Sequence, residues 1–130
     1  MSQAYIIDDD PIYIKITEAL LKKDKIFKSF STYTNPVNAL IDLFDAYYTS
    51  KKLPDIILLD LDMPTLSGWN FLDSFNSIAT LEGSPTSVYI ITSSIDPLDR
   101  QRSKLYSCVK GFYTKPTSPD VLKQLARDLN

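Results

Sequence analysis

Short runs of apolar residues recur along this chain, and each run ends in polar residues. The clearest run is Ile56 to Leu59, four consecutive branched aliphatic residues followed by Asp60. A run that is apolar at every position is typical of a strand buried on both faces of a parallel sheet. Similar runs predict four further strands, over residues 4–7, 27–33, 88–92 and 109–113. The run at 27–33 alternates only loosely, which predicts an exposed edge strand.

The segments between these runs have helical periodicity and predict five helices. Four of them open with a capping residue followed by proline, at Asp10-Pro11, Asn35-Pro36, Asp96-Pro97 and Ser118-Pro119. A capping side chain accepts from the free N–H groups of the first turn, and proline at the first helical position loses no hydrogen bond. The first helix is predicted from Ile12, Ile16, Ala19 and Leu20, which recur at helical spacing. The fourth, within residues 96–106, carries few apolar residues and should be short and exposed.

Strands and helices therefore alternate five times along the 130 residues. This alternation predicts an α/β fold, a doubly wound parallel sheet with helices on both faces and right-handed crossovers. The length fits a single domain spanning residues 1–130, and the longest loop is expected over residues 79–87.

Composition and charge exclude several kinds of chemistry. The chain has no histidine and one cysteine, Cys108, which excludes disulfides, Cys/His metal sites and every Ser-His or Cys-His catalytic arrangement. Its net charge is −2 and no basic stripe follows one face, so we expect no direct nucleic-acid partner. Without a basic leader or an apolar span near 18 residues, we expect a cytoplasmic protein with no membrane partner.

Polar residues follow four of the predicted strands: Asp8, Asp9, Asp60, Thr92 and Lys115. Because the carboxyl ends of parallel strands lie at one edge of the sheet, these side chains should converge. Three acids together repel one another unless a cation lies among them, and an oxygen-only donor set suits Mg²⁺. Lys115 adds a positive charge and Thr92 a hydroxyl donor, as a cluster of anionic oxygens on Asp60 would require. The pattern indicates a carboxylate that accepts a phosphoryl group.

Each of these residues also has a purely structural explanation. The acids at 8–10 could stabilise a helix N-terminus, Thr92 is a good strand residue, and a single lysine is usually a solvated charge. Phe112 could belong to the core. Their joint occurrence at the same end of successive strands favours the functional interpretation.

Four motifs carry these residues and resemble the receiver domain of two-component response regulators over essentially the whole chain. They are Ile-Ile-Asp-Asp-Asp-Pro at 6–11, Asp-Ile-Ile-Leu-Leu-Asp-Leu-Asp-Met-Pro at 55–64 with Gly68 following, Ile-Ile-Thr-Ser at 90–93, and Gly-Phe-Tyr-Thr-Lys-Pro at 111–116. The resemblance implies a CheY-like, flavodoxin-like (βα)5 fold with strand order 2-1-3-4-5, here apparently as a stand-alone receiver domain.

The resemblance also implies a role for each acidic residue. Asp60 would be the phosphoacceptor and a metal ligand, Asp9 a direct Mg²⁺ ligand and Asp8 an outer or water-mediated one. The backbone carbonyl of Asp62 would complete the protein's share of the metal shell, and Lys115 would pair with the phosphoryl group. The Asp62 carboxylate departs from the usual pattern, and we expect it either to tighten the cation or to slow phosphorylation by repulsion.

Two further residues would form the switch. Thr92 would follow the phosphoryl group, and Phe112, at a place often held by tyrosine, would change rotamer between the two states. The bond before Pro116 is expected to be cis, as the family's Lys-Pro junction tends to be.

The function implied is that of a signalling module and not of an enzyme, apart from self-phosphorylation and slow autodephosphorylation. A phosphohistidine on a histidine kinase or a histidine phosphotransfer protein would donate the phosphoryl group to Asp60. A downstream protein partner would bind the face made by the fourth helix, the fifth strand and the fifth helix.

Two alternatives compete with this interpretation. Leu-Leu-Asp60-Leu-Asp62 also resembles the paired acids of haloacid-dehalogenase-type phosphatases, but here the motif lies on the third strand, Pro64 follows where that family has its turn, and no cap insertion exists. An inactive receiver used only for docking is disfavoured, since the acids, the hydroxyl and the lysine are all present.

Overall fold

Five strands and five helices alternate in the computed structural model, which describes residues 3–82 and 86–129. The strands are β1 (Gln3–Ile7), β2 (Ser29–Tyr33), β3 (Ile56–Leu59), β4 (Ser87–Thr92) and β5 (Val109–Thr114). The helices are α1 (Pro11–Lys23), α2 (Pro36–Tyr48), α3 (Gly68–Glu82), α4 (Pro97–Ser103) and α5 (Pro119–Asp128).

The strands form one parallel sheet in the order β2-β1-β3-β4-β5. This confirms the predicted flavodoxin-like arrangement and places β2 at an edge. Ile7 pairs with Leu59, and Leu59 pairs with Ile90, so β1 and β3 end level while β4 continues to Thr92. The Asp60 N–H donates to the carbonyl of Ile7 at 3.0 Å. The residues that follow β1 and β3 are therefore neighbours.

Two apolar clusters, one for each face of the sheet, form the core. Alternate residues of β1 point to opposite clusters: Ile7 lies in the cluster that includes residues of α2 and α3, and Ile6 in the cluster that includes residues of α1 and α5. Ile57 and Ile56 of β3 divide in the same way. Because both faces are covered, these strands need apolar side chains at every position, which is the pattern the sequence shows.

All four predicted capping residues accept hydrogen bonds at the start of their helices. The side chain of Asp10 accepts from the N–H of Ile12, and that of Asn35 from the N–H of Val37. Asp96 and Ser118 cap α4 and α5 in the same way. The cap-plus-proline signature therefore predicted four helix starts to the residue.

The helical spacing of apolar residues predicted α1, but it did not predict which side of the helix is buried. Ile14, Thr17 and Leu21 are buried, whereas the side chains of Ile12 and Ile16 are 69% and 56% exposed. α1 carries apolar residues on two sides, and Ile12 and Ile16 lie roughly opposite Ile14 and Leu21 around a helix of 3.6 residues per turn. Helical spacing alone does not decide which side meets the sheet.

The predicted loop at 79–87 is shorter than expected. α3 continues to Glu82, and β4 begins at Ser87. Ala79, Leu81 and Glu82 are good helix formers, so the helix has no reason to end before Gly83. Residues 83–85 of the predicted loop lie outside the described residues. The prediction for α4 is confirmed, because the helix is short and Ser103 is its one buried residue.

Gly68 begins α3 where the chain folds back against the end of β3. Its N–H donates to the carbonyl of Leu61 at 3.0 Å. A β-carbon at this position would lie 2.6 Å from the carbonyl oxygen of Asp60 and 2.8 Å from the α-carbon of Leu61. Both neighbours are backbone atoms, so neither can move without displacing the segment that carries Asp60.

We expect Gly68→Ala to destabilise the protein by about 1–3 kcal/mol, because the clash with backbone outweighs the roughly 1 kcal/mol that alanine gains over glycine inside a helix. Urea unfolding measures the difference. Asn70→Ala, an exposed position two residues further along α3, is the matched control and should change stability by less than about 0.5 kcal/mol. A Gly68→Ala protein as stable as the unmodified one would contradict the close approach.

Candidate functional site

Three carboxylates meet at the carboxyl edge of the sheet. Asp8 and Asp9 follow β1, Asp60 follows β3, and one carboxylate oxygen of each lies within 4.8 Å of the others. Asp8 and Asp60 are only 3% and 4% exposed, while Asp9 is half-buried. The structure therefore brings together the three acids that the sequence predicted to converge.

Lys115 reaches the same cluster from the end of β5. Its Nζ lies 2.5 Å from Asp8 Oδ2 and 3.8 Å from Asp60 Oδ2. The Lys115 N–H donates to the carbonyl of Thr92 at 2.8 Å, which fixes the backbone beside β4. One ammonium thus contacts two of the three carboxylates, and the cluster keeps an excess of negative charge.

The pKa values reflect this excess. Burial, followed by the charge of Asp8, raises the pKa of Asp60 to about 6, although Lys115 opposes the shift. Burial also raises the pKa of Asp8 above its usual value, against the hydrogen bond from Lys115. Burial lowers the pKa of Lys115, but the hydrogen bond to Asp8 and the charges of Asp60 and Asp8 raise it by more. The net pKa therefore lies above the usual value of lysine, and the ammonium stays protonated.

The cluster fits a divalent cation bound through oxygen. Asp60 Oδ1 is buried and has no hydrogen-bond partner among the described residues. A buried carboxylate oxygen without a partner costs free energy, and a cation would remove that cost. The three donors that meet here are carboxylate oxygens, which are ligands that Mg²⁺ prefers.

Thr92 and Phe112 lie on the two strands beyond β3. Thr92 ends β4, is fully buried, and its hydroxyl oxygen accepts from the N–H of Ser94 at 3.3 Å. Phe112 in β5 is half-buried, and the guanidinium carbon of Arg100 lies 4.8 Å from its ring centroid. The structure therefore places Thr92 at the carboxyl edge and Phe112 against α4.

The remaining two predicted residues flank the cluster. The side chain of Asp62 is exposed, and its charge adds to the rise in the pKa of Asp60, while a backbone hydrogen bond from Asp62 lowers it. The peptide bond between Lys115 and Pro116 is cis.

Sequence reasoning did not single out Tyr13, which borders the cluster. Lys115 Nζ lies 4.2 Å from the centroid of the Tyr13 ring, and the Tyr13 hydroxyl is 3.3 Å from Thr117 Oγ1. Asp10 also contacts the acid cluster, since its backbone N–H donates to Asp8 Oδ1 at 2.9 Å. The sequence position of Tyr13 could have indicated this, because the residue lies in the first turn of the helix that directly follows the acids.

A flavodoxin-like sheet with buried acids and a paired lysine at its carboxyl edge defines a class of signalling domains that accept a phosphoryl group on aspartate. The chain belongs to the response regulator receiver domain family, whose family model matches residues 4–127.

Curated relatives are longer than this chain. A protein-glutamate methylesterase/protein-glutamine glutaminase 2 from Methanospirillum hungatei is 26% identical over 136 residues, which cover 100% of this chain and 35% of the relative. Response regulator Rre1 from Synechocystis is 26% identical over 125 residues, which cover 95% of this chain and 49% of the relative. The chain thus spans between a third and a half of the length of these two relatives.

Solved structures share the fold along the whole chain. A two-component response regulator from Cytophaga hutchinsonii superposes with a TM-score of 0.83 at 23% identity, covering 98% of this chain and 95% of that one. The chemotaxis protein CheY4 of Vibrio cholerae gives a TM-score of 0.78 at 20% identity, with coverages of 100% and 99%.

The family assignment decides between a receiver domain and a phosphatase. It supports a phosphoacceptor signalling domain over the haloacid-dehalogenase-type phosphatase. Across residues 3–82 and 86–129, none of the helices combines the length and the apolar character that crossing a membrane requires.

The raised pKa of Asp60 has a consequence for stability without bound metal. An acid whose folded pKa exceeds its unfolded pKa destabilises the fold at high pH, and this penalty fades as the pH falls through about 6 toward the unfolded value near 4. We expect Asp60→Asn to stabilise the metal-free protein by about 2–3 kcal/mol at pH 8 and by roughly half as much at pH 5. Urea unfolding in EDTA at both pH values measures it.

Asp62→Asn is the control for this pH experiment, because it removes an exposed charge two residues away. It should change stability much less than Asp60→Asn at pH 8. Equal stability of the Asp60→Asn and unmodified proteins at pH 8 would show that Asp60 carries no electrostatic penalty.

Proposed function

We propose that residues 1–130 form a single cytoplasmic receiver domain in which Asp60 takes a phosphoryl group from a phosphohistidine. The donor is a histidine kinase or a histidine phosphotransfer protein, and a downstream protein partner reads the result. The observation that carries this proposal is the Asp60 carboxylate: its Oδ1 is buried without a hydrogen-bond partner among the described residues, while Lys115 lies 3.8 Å from its other oxygen.

In the transfer step, an Asp60 carboxylate oxygen attacks phosphorus in line with the leaving imidazole nitrogen. The new O–P bond forms as the P–N bond breaks, and the electron pair of that bond returns to the imidazole. Lys115 moves from Asp8 toward the oxygens of the phosphoryl group and balances part of their charge. Slow attack by water on the aspartyl phosphate would release inorganic phosphate and return the carboxylate.

Asp9, Asp60 and the backbone carbonyl of Asp62 would hold Mg²⁺ directly, and Asp8 would hold it through water. When bound, the ion supplies positive charge beside the transferring phosphoryl group. The excess negative charge of the acid cluster supports this assignment, because Lys115 alone does not balance three carboxylates.

Thr92 would transmit the change to the surface. Its hydroxyl oxygen accepts from the Ser94 N–H, so its own O–H can donate to a phosphoryl oxygen on Asp60. Movement of Thr92 toward Asp60 would lengthen the bond to Ser94, whose hydroxyl donates to Asp99 of α4 at 2.5 Å. Phe112 would then fill the space that Thr92 leaves, and its contact with Arg100 would change.

The face made by α4, β5 and α5 would bind the downstream partner. Three large apolar side chains in and beside α4 are strongly exposed: Ile95 at 87%, Leu98 at 68% and Leu105 at 83%. α4 itself is held by little buried surface, since Ser103 is its one buried residue. A weakly anchored helix with exposed apolar side chains suits a surface that changes between two states.

Incubation with a small acyl phosphate and Mg²⁺ tests the phosphoacceptor directly. We expect the addition of one phosphoryl group, mapped by mass spectrometry to the peptide that contains Asp60, and no addition in Asp60→Asn. Labelling of Asp60→Asn at the rate of the unmodified protein would overturn the assignment. Many turnovers on a small phosphomonoester would instead indicate a phosphatase.

The Asp62 carboxylate should influence the same reaction, because its charge adds to the negative potential at Asp60. If repulsion dominates, Asp62→Asn raises the initial labelling rate about twofold to fivefold; if the carboxylate tightens the cation, it lowers Mg²⁺ affinity by a similar factor. Labelling kinetics and calorimetric titration with Mg²⁺ separate the two effects. The idea fails if the rate and the affinity both stay unchanged.

A further inference from the structure

The aromatic ring of Tyr13 faces the lysine of the acid cluster. Tyr13 lies in the first turn of α1 and is half-buried, and its ring centroid is 4.2 Å from Lys115 Nζ. The same ammonium lies 2.5 Å from Asp8 Oδ2 and 3.8 Å from Asp60 Oδ2. Lys115 is therefore held between two carboxylates and the face of one ring.

We propose that Tyr13 is a positioning residue that holds the Lys115 ammonium beside Asp60. A lysine side chain is a point charge on a flexible stem of four carbons, so electrostatic attraction to the acids alone leaves it several rotamers. The ring attracts the ammonium from another side and restricts it. Such a contact is stronger where water is excluded, and the Lys115 side chain is only 17% exposed.

A second contact ties the ring to the segment that carries the lysine. The Tyr13 hydroxyl lies 3.3 Å from Thr117 Oγ1, within hydrogen-bonding distance, and Thr117 follows Lys115 by two residues. The first turn of α1 therefore contacts both the Lys115 side chain and the chain just beyond it. Asp10, whose carboxylate accepts from the N–H of Tyr13 at 3.4 Å, caps this turn.

Ordinary packing is the competing explanation, since Tyr13 also borders the apolar cluster that contains Leu122. If Tyr13 only packs, removing its ring costs the same folding free energy whatever residue occupies position 115. If Tyr13 positions Lys115, removing the ring costs more folding free energy when the positive charge of Lys115 is present. A double-mutant cycle between the two residues separates these cases.

The first experiment measures unfolding in EDTA and needs no phosphorylation. Tyr13→Leu should lower the folding equilibrium constant about tenfold more in the unmodified background than in the Lys115→Met background. Tyr106→Leu, which removes another half-buried tyrosine near the other core cluster, is the control and should cost the same in both backgrounds. Equal losses for Tyr13→Leu in the two backgrounds would reduce Tyr13 to a packing residue.

The second experiment rests on the proposed function and measures acyl-phosphate labelling at saturating Mg²⁺. We expect Tyr13→Leu to slow labelling about fivefold to tenfold, Tyr13→Phe to restore most of the rate because the ring remains, and Tyr13→Leu to have no further effect beside Lys115→Met.

The two experiments fail in distinguishable ways. If the unmodified protein takes no label, the proposed function is wrong, and the unfolding cycle still decides whether Tyr13 holds Lys115. If the unmodified protein is labelled and Tyr13→Leu is labelled at the same rate, the positioning role is wrong while the phosphoacceptor stands.

Discussion

Repulsion among Asp8, Asp9 and Asp60 is the constraint on which the rest of the structure depends. The carboxylates lie within 4.8 Å of one another because β1 and β3 are adjacent parallel strands that end level. Isolated buried charges of one sign would move apart or neutralise, but the apolar residues on both faces of these strands fix where each strand ends. The burial that forms the core thus also sustains the repulsion, and Lys115 relieves it only in part.

A cluster that lacks positive charge can contribute to a switch, because its free energy changes when a cation or a phosphoryl group binds. A ligand shifts an equilibrium only by its difference in binding free energy between two states, and a cluster short of positive charge gains much when a cation arrives. Lys115 belongs to the same balance, since it contacts Asp8 now and would have to serve a phosphoryl group on Asp60. With the proposed function, the contacts around Lys115 would affect stability and reactivity together.

The sequence predicted those parts of the fold that are set by local chemistry. Strands apolar at every position, four cap-plus-proline helix starts, and polar residues at strand ends were enough for a parallel α/β sheet and for the convergence of Asp8, Asp9, Asp60 and Lys115. The strand order came from the resemblance to receiver domains. The sequence did not predict which side of α1 is buried, because Ile12 and Ile16 compete with Ile14 and Leu21 at the same helical spacing. Nor did it predict Tyr13, whose importance comes from the direction of its ring toward a residue more than a hundred positions away.

Two cation–π contacts connect α4 to elements that lead to the acid cluster. Arg100 lies 4.8 Å from the ring centroid of Phe112, and Arg102 lies 4.5 Å from that of Trp69. Contacts of this type at exposed sites contribute about 0.5–1 kcal/mol each, far less than a buried apolar face would. Both aromatic residues belong to segments that reach the acid cluster: Phe112 lies on the strand that leads to Lys115, and Trp69 follows Gly68, which lies against the carbonyl of Asp60. These contacts connect α4 to the elements that end at Asp60 and Lys115, and they are the route by which the proposed change at Asp60 would reach the surface.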